Sequence, residues 1–153
     1  SFKKHFSFLL KNLQEEEERR RYANLVFEFG KHIEKFPLGQ PELNVEFSIA
    51  AYEMSLNVTP RGKFPIQWGY LLGSLGNGYS ARLLGDKSES IEKAISCYHQ
   101  CLQVIKFEAM PKDWAMTMNG LGNAYFERIQ GHRPNNIALS IDYHMKALFV
   151  LTS

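Results

Sequence analysis

The sequence PIQWGYLLGSLGNGYSAR (residues 65–82) returns 46 positions later as PKDWAMTMNGLGNAYFER (residues 111–128). Across residues 64–105 and their counterparts, twelve positions are identical without a gap, and both tryptophans of the chain are among them. Internal repetition at a spacing of about 20 to 50 residues is typical of arrays in which each unit packs only on its neighbours. The chain is therefore predicted to be a repeat protein.

A third, degenerate copy appears when the same shift is applied backwards. Phe29 and Gly30 then fall under Leu75 and Gly76, and Tyr52 falls under Tyr98. We expect one domain over residues 1–153, made of a leading helix (1–17), a degenerate unit (18–63) and two clearer units (64–109 and 110–153). The last unit has no polar capping helix after it, although terminal repeats normally need one.

Each unit is predicted to contain two helices. Pro65 and Pro111 suit the first turn of a helix, where a missing N–H has no intrahelical partner. Apolar residues then recur at helical spacing, as in Trp68, Leu72, Leu75, Tyr79 and Leu83, and again in Ile91, Ile95, Tyr98, Leu102 and Ile105. No stretch argues for a strand, because the β-branched residues lie inside these helical patterns. The predicted fold class is all-α.

Two sets of glycines recur with the repeat. One set is expected to end the first helix of each unit: Gly39, Gly85 and Gly131. The other set follows a large apolar residue inside that helix, where glycine is unfavourable by about 0.5–1 kcal/mol: Gly30, Gly76 and Gly122. We expect a neighbouring helix to pass too close there for a side chain. The second helix can be capped by Asp86 or Ser88, and in the last unit by Asn135 or Asn136.

The glycine-rich stretch LLGSLGNGYSARLLGDKS (residues 71–88) is not a phosphate-binding loop. A P-loop needs glycine directly before its lysine, whereas Lys87 follows Asp86. The order of the glycines also fails the dinucleotide-binding pattern. A nucleotide enzyme is therefore not indicated.

Composition excludes several other classes. A net charge of +2 gives no electrostatic case for a nucleic-acid surface, and no apolar run is long enough to span a membrane. The two cysteines, Cys97 and Cys101, form no disulfide framework and fit a reducing, cytoplasmic setting. Together with His99, the two cysteines could be considered as metal ligands, but no second pair of ligands stands elsewhere at zinc-like spacing. We expect no metal, no cofactor and no catalytic residues.

The repeat resembles the tetratricopeptide repeat (TPR). Its W-x2-L-G-x2-Y motif appears as Leu72-x2-Leu75-Gly76-x2-Tyr79, and again from Met118 to Tyr125. The spacing of 46 exceeds the usual 34. Together with the Pro-x-x-Trp opening, it resembles a long-repeat bacterial subtype that often precedes caspase-like domains of the CHAT type. The resemblance implies a right-handed α-solenoid.

The resemblance also implies a concave groove lined by the first helices, which would bind a partner peptide or protein. Carried over by position, it places twelve residues there: Asn24, Phe27, Lys31, Glu34, Tyr70, Gly73, Asn77, Ser80, Met116, Asn119, Asn123 and Phe126. Asn77 and Asn123 are the preferred contacts, because an amide can bond both backbone groups of a peptide. No basic clamp for a C-terminal carboxylate is visible.

We therefore expect a non-catalytic protein-interaction module. Two alternatives stay open. The array could regulate a caspase-like CHAT protease, or it could be a structural piece that self-associates through its uncapped last helix (Ile137 to Leu151).

Overall fold

In a computed structural model, residues 15–151 are described, together with Lys4 and Phe8. The predicted leading helix (1–17) lies almost wholly outside these residues. The described part of the chain is helical and has no strand. Its helices are α1 (Glu16–Glu34), α2 (Pro41–Asn57), α3 (Pro65–Ala81), α4 (Lys87–Cys101), α5 (Pro111–Glu127) and α6 (Arg133–Leu151). The all-α prediction is confirmed.

The helices pack mainly against their neighbours in the chain. The most extensive contacts join α1 with α2, α3 with α4 and α5 with α6, and smaller ones join α2 with α3 and α4 with α5. Helix α3 also touches α5. The starts of α2, α4 and α6 are spaced by 46 residues, as are those of α3 and α5. One buried core continues through α2 to α6, from Ile49 to Ala147.

Prolines begin three of these helices. Pro41, Pro65 and Pro111 each occupy the first turn, as predicted for the last two. The predicted ends of the first helices were wrong. Helices α3 and α5 stop at Ala81 and Glu127, four residues before the expected glycines.

The glycines at those positions shape the loops instead. Gly39, Gly85 and Gly131 have φ angles of +103°, +85° and +81°, which side chains rarely adopt. Arg82 ends α3 because its backbone is already extended there, with ψ near 127°. Leu83, predicted to lie on the helix, is an exposed loop residue.

The predicted caps are right at one helix and wrong at another. Asp86 caps α4 by accepting a 2.8 Å hydrogen bond from the backbone N–H of Glu89. Helix α6 begins at Arg133, before either predicted asparagine. Asn136 is buried and donates to the carbonyl of Gln130 at 2.8 Å, so it fastens the preceding loop rather than capping the helix.

The recurring helical glycines mark close helix contacts, as predicted. A Cβ on Gly76 would lie 2.5 Å from Cε1 of Tyr98, which is a clash. Equivalent clashes would occur between Gly30 and Tyr52 and between Gly122 and His144. The aromatic ring of each second helix therefore rests on the backbone of its first helix.

Arginine–glutamate pairs join consecutive units. Arg82 at the end of α3 donates from Nε and Nη2 to the Glu46 carboxylate on α2, at 2.6 and 2.9 Å. Arg128 repeats this geometry with Glu92 on α4, at the same two distances. Paired bonds of this kind fix orientation as well as adding energy.

Candidate functional site

An open groove of about 660 Å³ is the candidate site. The first helices α3 and α5 supply most of its walls, and the last residue of α1 reaches one end. Its lining combines amides, hydroxyls, carboxylates and one exposed thioether, among them Tyr70, Ser74, Asn77, Ser80, Asp113, Met116, Thr117, Asn119, Asn123 and Glu127.

Eight of the twelve predicted groove residues lie together on this surface: Glu34, Tyr70, Gly73, Asn77, Ser80, Met116, Asn119 and Asn123. All except Glu34 come from two helices whose sequences match at a spacing of 46. The positions that the resemblance marks on α3 and α5 therefore share one face, and whether a partner binds there stays a prediction.

The three asparagines differ in how far their amides are already used. The Asn77 side-chain oxygen accepts a 2.8 Å hydrogen bond from the Tyr98 hydroxyl. Asn119 pairs with Nδ1 of His144 at 3.1 Å. Asn123 is exposed, and within the described part of the chain its amide has no hydrogen bond. The NH₂ of Asn77 and the whole amide of Asn123 are thus available to a ligand.

Three of the four predicted residues of the first unit do not line the groove. Phe27 packs against the core, with its ring 5.5 Å from that of Tyr52. The Lys31 ammonium lies 5.3 Å above the Phe27 ring. Asn24 accepts a hydrogen bond from Gln67 at the junction with α3. The Phe27 and Lys31 contacts lie within the first unit, whereas the Asn24 bond joins that unit to the next.

Phe126, the remaining predicted residue, is exposed but also lies outside the groove lining. The Arg133 guanidinium covers its ring at 5.2 Å. Its counterpart in the preceding unit, Ser80, does line the groove. The Phe126 ring contacts the Arg133 guanidinium instead.

Sequence reasoning missed two of the three carboxylates of the groove. Asp113 and Glu127 contribute to its lining together with the predicted Glu34, and among the described residues this lining contains no Lys, Arg or His. The Tyr70 hydroxyl donates to Asp113 at 3.0 Å, and burial raises the pKa of that tyrosine. Helical spacing could have identified Asp113 as a groove residue, because it precedes Met116 by three residues and therefore shares its face.

The two cysteines are buried and unpaired with each other. Burial raises the pKa of Cys97 to about 12 and also raises the pKa of Cys101. Since the thiolate is the nucleophile, neither sulfur is activated at neutral pH. Cys101 instead contacts Thr117 at 3.6 Å and fills the tight contact between α4 and α5.

His99 is held among aromatic rings rather than beside a nucleophile. Its Nε2 lies 3.3 Å from the Tyr125 hydroxyl, and its ring meets Tyr143 edge-on at 6.3 Å. Burial lowers the pKa of His99. Within the described residues, no group of three His, Cys, Asp or Glu side chains could hold a metal ion.

Among the described helices, none combines the length and apolarity that crossing a membrane requires. In comparisons with known proteins, no family model matches the chain, and no curated protein or solved structure matches it significantly. The TPR resemblance therefore rests on the motif residues themselves.

Proposed function

We propose that this chain is a TPR-like, right-handed α-solenoid that acts as a non-catalytic protein-interaction module. The observation that supports this most directly is the pair Asn77 and Asn123. They occupy equivalent positions 46 residues apart, line the same groove and keep amide hydrogen-bonding capacity. Two equivalent side-chain amides along one groove suit an extended polypeptide, because its backbone presents the same N–H and C=O groups at every residue.

The partner is an extended segment of another protein. Its backbone N–H and C=O groups would pair with the side-chain amides, since an amide both donates and accepts. Tyr70 and Met116, both substantially exposed, offer apolar contact to its side chains. Grooves of helical repeat arrays bind partners through surfaces of this kind. No cofactor takes part.

A selection from a random 12-residue peptide library would test this proposal. Peptides enriched on the immobilised chain would be measured by fluorescence polarisation against wild type and a double variant, Asn77→Ala with Asn123→Ala. Losing two hydrogen bonds of about 0.5–1.5 kcal/mol each should weaken binding by about 5- to 150-fold.

The matched control is Asn135→Ala, the same chemical change at an exposed position of α6 that does not line the groove. It should leave binding unchanged, and circular dichroism should show intact helices in both variants. Equal affinity of wild type and the double variant would exclude the groove as the binding surface.

A second candidate function, self-association, is favoured by the outer face of α6. Ile141 and Met145 are exposed there, at 55% and 66%. The ion pair between Asp142 and Lys146 beside them is internally neutral. An apolar face without net charge suits a second copy of itself, so we propose a symmetric pairing of α6 helices.

Sedimentation equilibrium of the chain over a range of concentrations would test this pairing. A reversible dimer is expected, and Ile141→Glu should abolish it. Leu83→Glu, on an equally exposed loop leucine, is the control and should leave the dimer intact. A monomer at all concentrations would rule out the pairing. A regulatory role beside a CHAT-type domain stays a prediction from the resemblance alone.

A further inference from the structure

The first helices of all three units end at the groove. Glu34, Ala81 and Glu127 are the last residues of α1, α3 and α5, and all three belong to the lining. A helix C-terminus carries unpaired carbonyl groups and roughly half a negative charge. The groove therefore attracts cations at these points, quite apart from its carboxylates.

In two units, a cation of the chain itself fills this position. The Lys87 ammonium donates to the carbonyl of Ser80 at 2.8 Å and lies 3.1 Å from the Glu127 carboxylate. Arg133 donates in the same way to the carbonyl of Phe126. Lys87 and Arg133 are 46 residues apart, as are Ser80 and Phe126, so the arrangement recurs with the sequence repeat.

Among the residues that the structure describes, no cation occupies this position in the first unit. The counterpart of Lys87 is Pro41, which has no charge, and the counterpart of Ser80 is Glu34, which adds a carboxylate. Glu34 is half-buried and accepts a 2.9 Å hydrogen bond from the Tyr52 hydroxyl. This bond fixes the carboxylate without neutralising its charge.

Neighbouring lysines do not compensate Glu34. The Lys31 ammonium is bound to Glu28 at 3.1 Å. Lys35 follows Glu34 directly, yet within the described part of the chain it forms no ion pair with it. The α1 end of the groove thus combines a helix C-terminus with a fixed negative charge.

We propose that the partner segment carries a lysine or arginine that binds at Glu34. This side chain would take, in the first unit, the place that Lys87 and Arg133 take in the other two. Asp113, elsewhere in the same groove, favours a positively charged segment further. The inference rests on the proposed function and names its partner class: a basic peptide segment of another protein.

The peptide selection described above tests this inference with three further variants. Enriched peptides should contain lysine or arginine, and replacing that residue with norleucine should weaken binding about tenfold. Glu34→Gln removes the charge but keeps an acceptor for Tyr52, and it should weaken binding to a similar extent. Glu108→Gln, at an exposed position outside the groove, is the control and should have no effect.

Pro41→Lys provides the most specific readout. It supplies the missing cation from within the chain, at the same first helical position that Lys87 occupies in α4. It should weaken binding of basic peptides about fivefold or more by competing for Glu34. In a chain that already carries Glu34→Gln, Pro41→Lys should weaken peptide binding no further. If Pro41→Lys instead weakened binding by damaging the fold, its effect would add to that of Glu34→Gln.

The outcomes separate the two proposals. Enriched peptides that lack basic residues but need Asn77 and Asn123 would overturn the cation site and keep the groove. Basic peptides that respond to Glu34→Gln but not to the asparagine variants would keep the cation site and overturn the amide contacts. Affinities unaffected by Glu34→Gln and by Pro41→Lys would overturn this inference.

Discussion

Helices α4 and α6 hold the same place in consecutive units, yet their outer faces have opposite surroundings. On α4, Ile95 is 7% exposed and belongs to the buried core, and α5 packs against α4. Its counterpart on α6, Ile141, is 55% exposed. The residue is identical and its position in the helix pattern is the same, so only the neighbouring helix distinguishes them.

The side chains around the two isoleucines have diverged with that difference. Glu92 on α4 binds Arg128 of the next helix, whereas the same position on α6 is Ala138. His99 on α4 contacts the Tyr125 hydroxyl, whereas the same position on α6 is Met145. The α6 face thus carries neither of the two polar side chains with which α4 binds α5, while it keeps the same apolar residue.

The largest expected effect comes from truncating the two isoleucines. Ile95→Ala should lower the free energy of unfolding by about 2–4 kcal/mol, because it leaves a cavity in the core. At a concentration where the chain is monomeric, Ile141→Ala should lower it by less than about 1 kcal/mol, since the side chain then meets water. Guanidinium denaturation followed by circular dichroism measures both. Equal losses would mean that the α6 face is covered in solution.

Removing the ion pair between units should have a smaller effect. Glu92→Gln weakens a half-buried, two-bond contact with Arg128 and should destabilise the chain by about 1–2 kcal/mol. Asp142→Asn on α6 removes an exposed pair with Lys146 and should change stability by less than about 0.5 kcal/mol. The same denaturation experiment compares the two. A larger loss of stability from Asp142→Asn than from Glu92→Gln would mean that the Asp142–Lys146 pair, and not the Glu92–Arg128 pair, stabilises the fold.

The pH dependence of stability should depend on His99. Burial lowers its pKa in the folded state below the ordinary 6.5, so the unfolded chain binds the proton more readily. Its contribution to stability is therefore complete above pH 6.5 and is lost as the pH falls, with a slope of at most about 1.4 kcal/mol per unit. Comparing wild type with His99→Met by denaturation at several pH values isolates this slope. An NMR-titrated pKa above 6.5 for His99 would contradict the prediction.

The smallest effect is expected at Met145, the α6 counterpart of His99. Met145→Gln at a concentration where the chain is monomeric should change the free energy of unfolding by less than about 0.5 kcal/mol, because most of the side chain is exposed. Thermal unfolding of dilute protein is sufficient to detect a larger change. A loss above about 1 kcal/mol would show that the side chain packs on something in the monomer.

The outcome at individual residues shows where sequence patterns were adequate. Pro65 and Pro111 marked helix starts correctly, because a proline has few other places in a helix. The ends failed by four residues, because Arg82 and Arg128 already have non-helical backbone angles, and their side chains bind carboxylates on another helix. Long-range pairing of this kind leaves no local signal.

In the candidate groove, too, sequence patterns were adequate for some residues and not for others. Asn77, Asn119 and Asn123, marked by the resemblance, line the groove together because helical spacing places them on one face. Phe27, marked in the same way, packs on Tyr52 of the next helix, because spacing cannot distinguish a groove face from a packed face. Asp113 and Glu127 were missed because they lie outside the positions that the resemblance marks on α5.

The sequence by itself determined the helices, their recurrence every 46 residues, and the glycines on which aromatic rings rest. These features depend on backbone sterics and on local periodicity, which act over a few residues at a time. Only the tertiary structure decided which apolar faces are covered, which carboxylates meet arginines and which line the groove. Those outcomes depend on residues about 36 to 46 positions apart, whose proximity is set by how helices pack rather than by what either segment prefers alone.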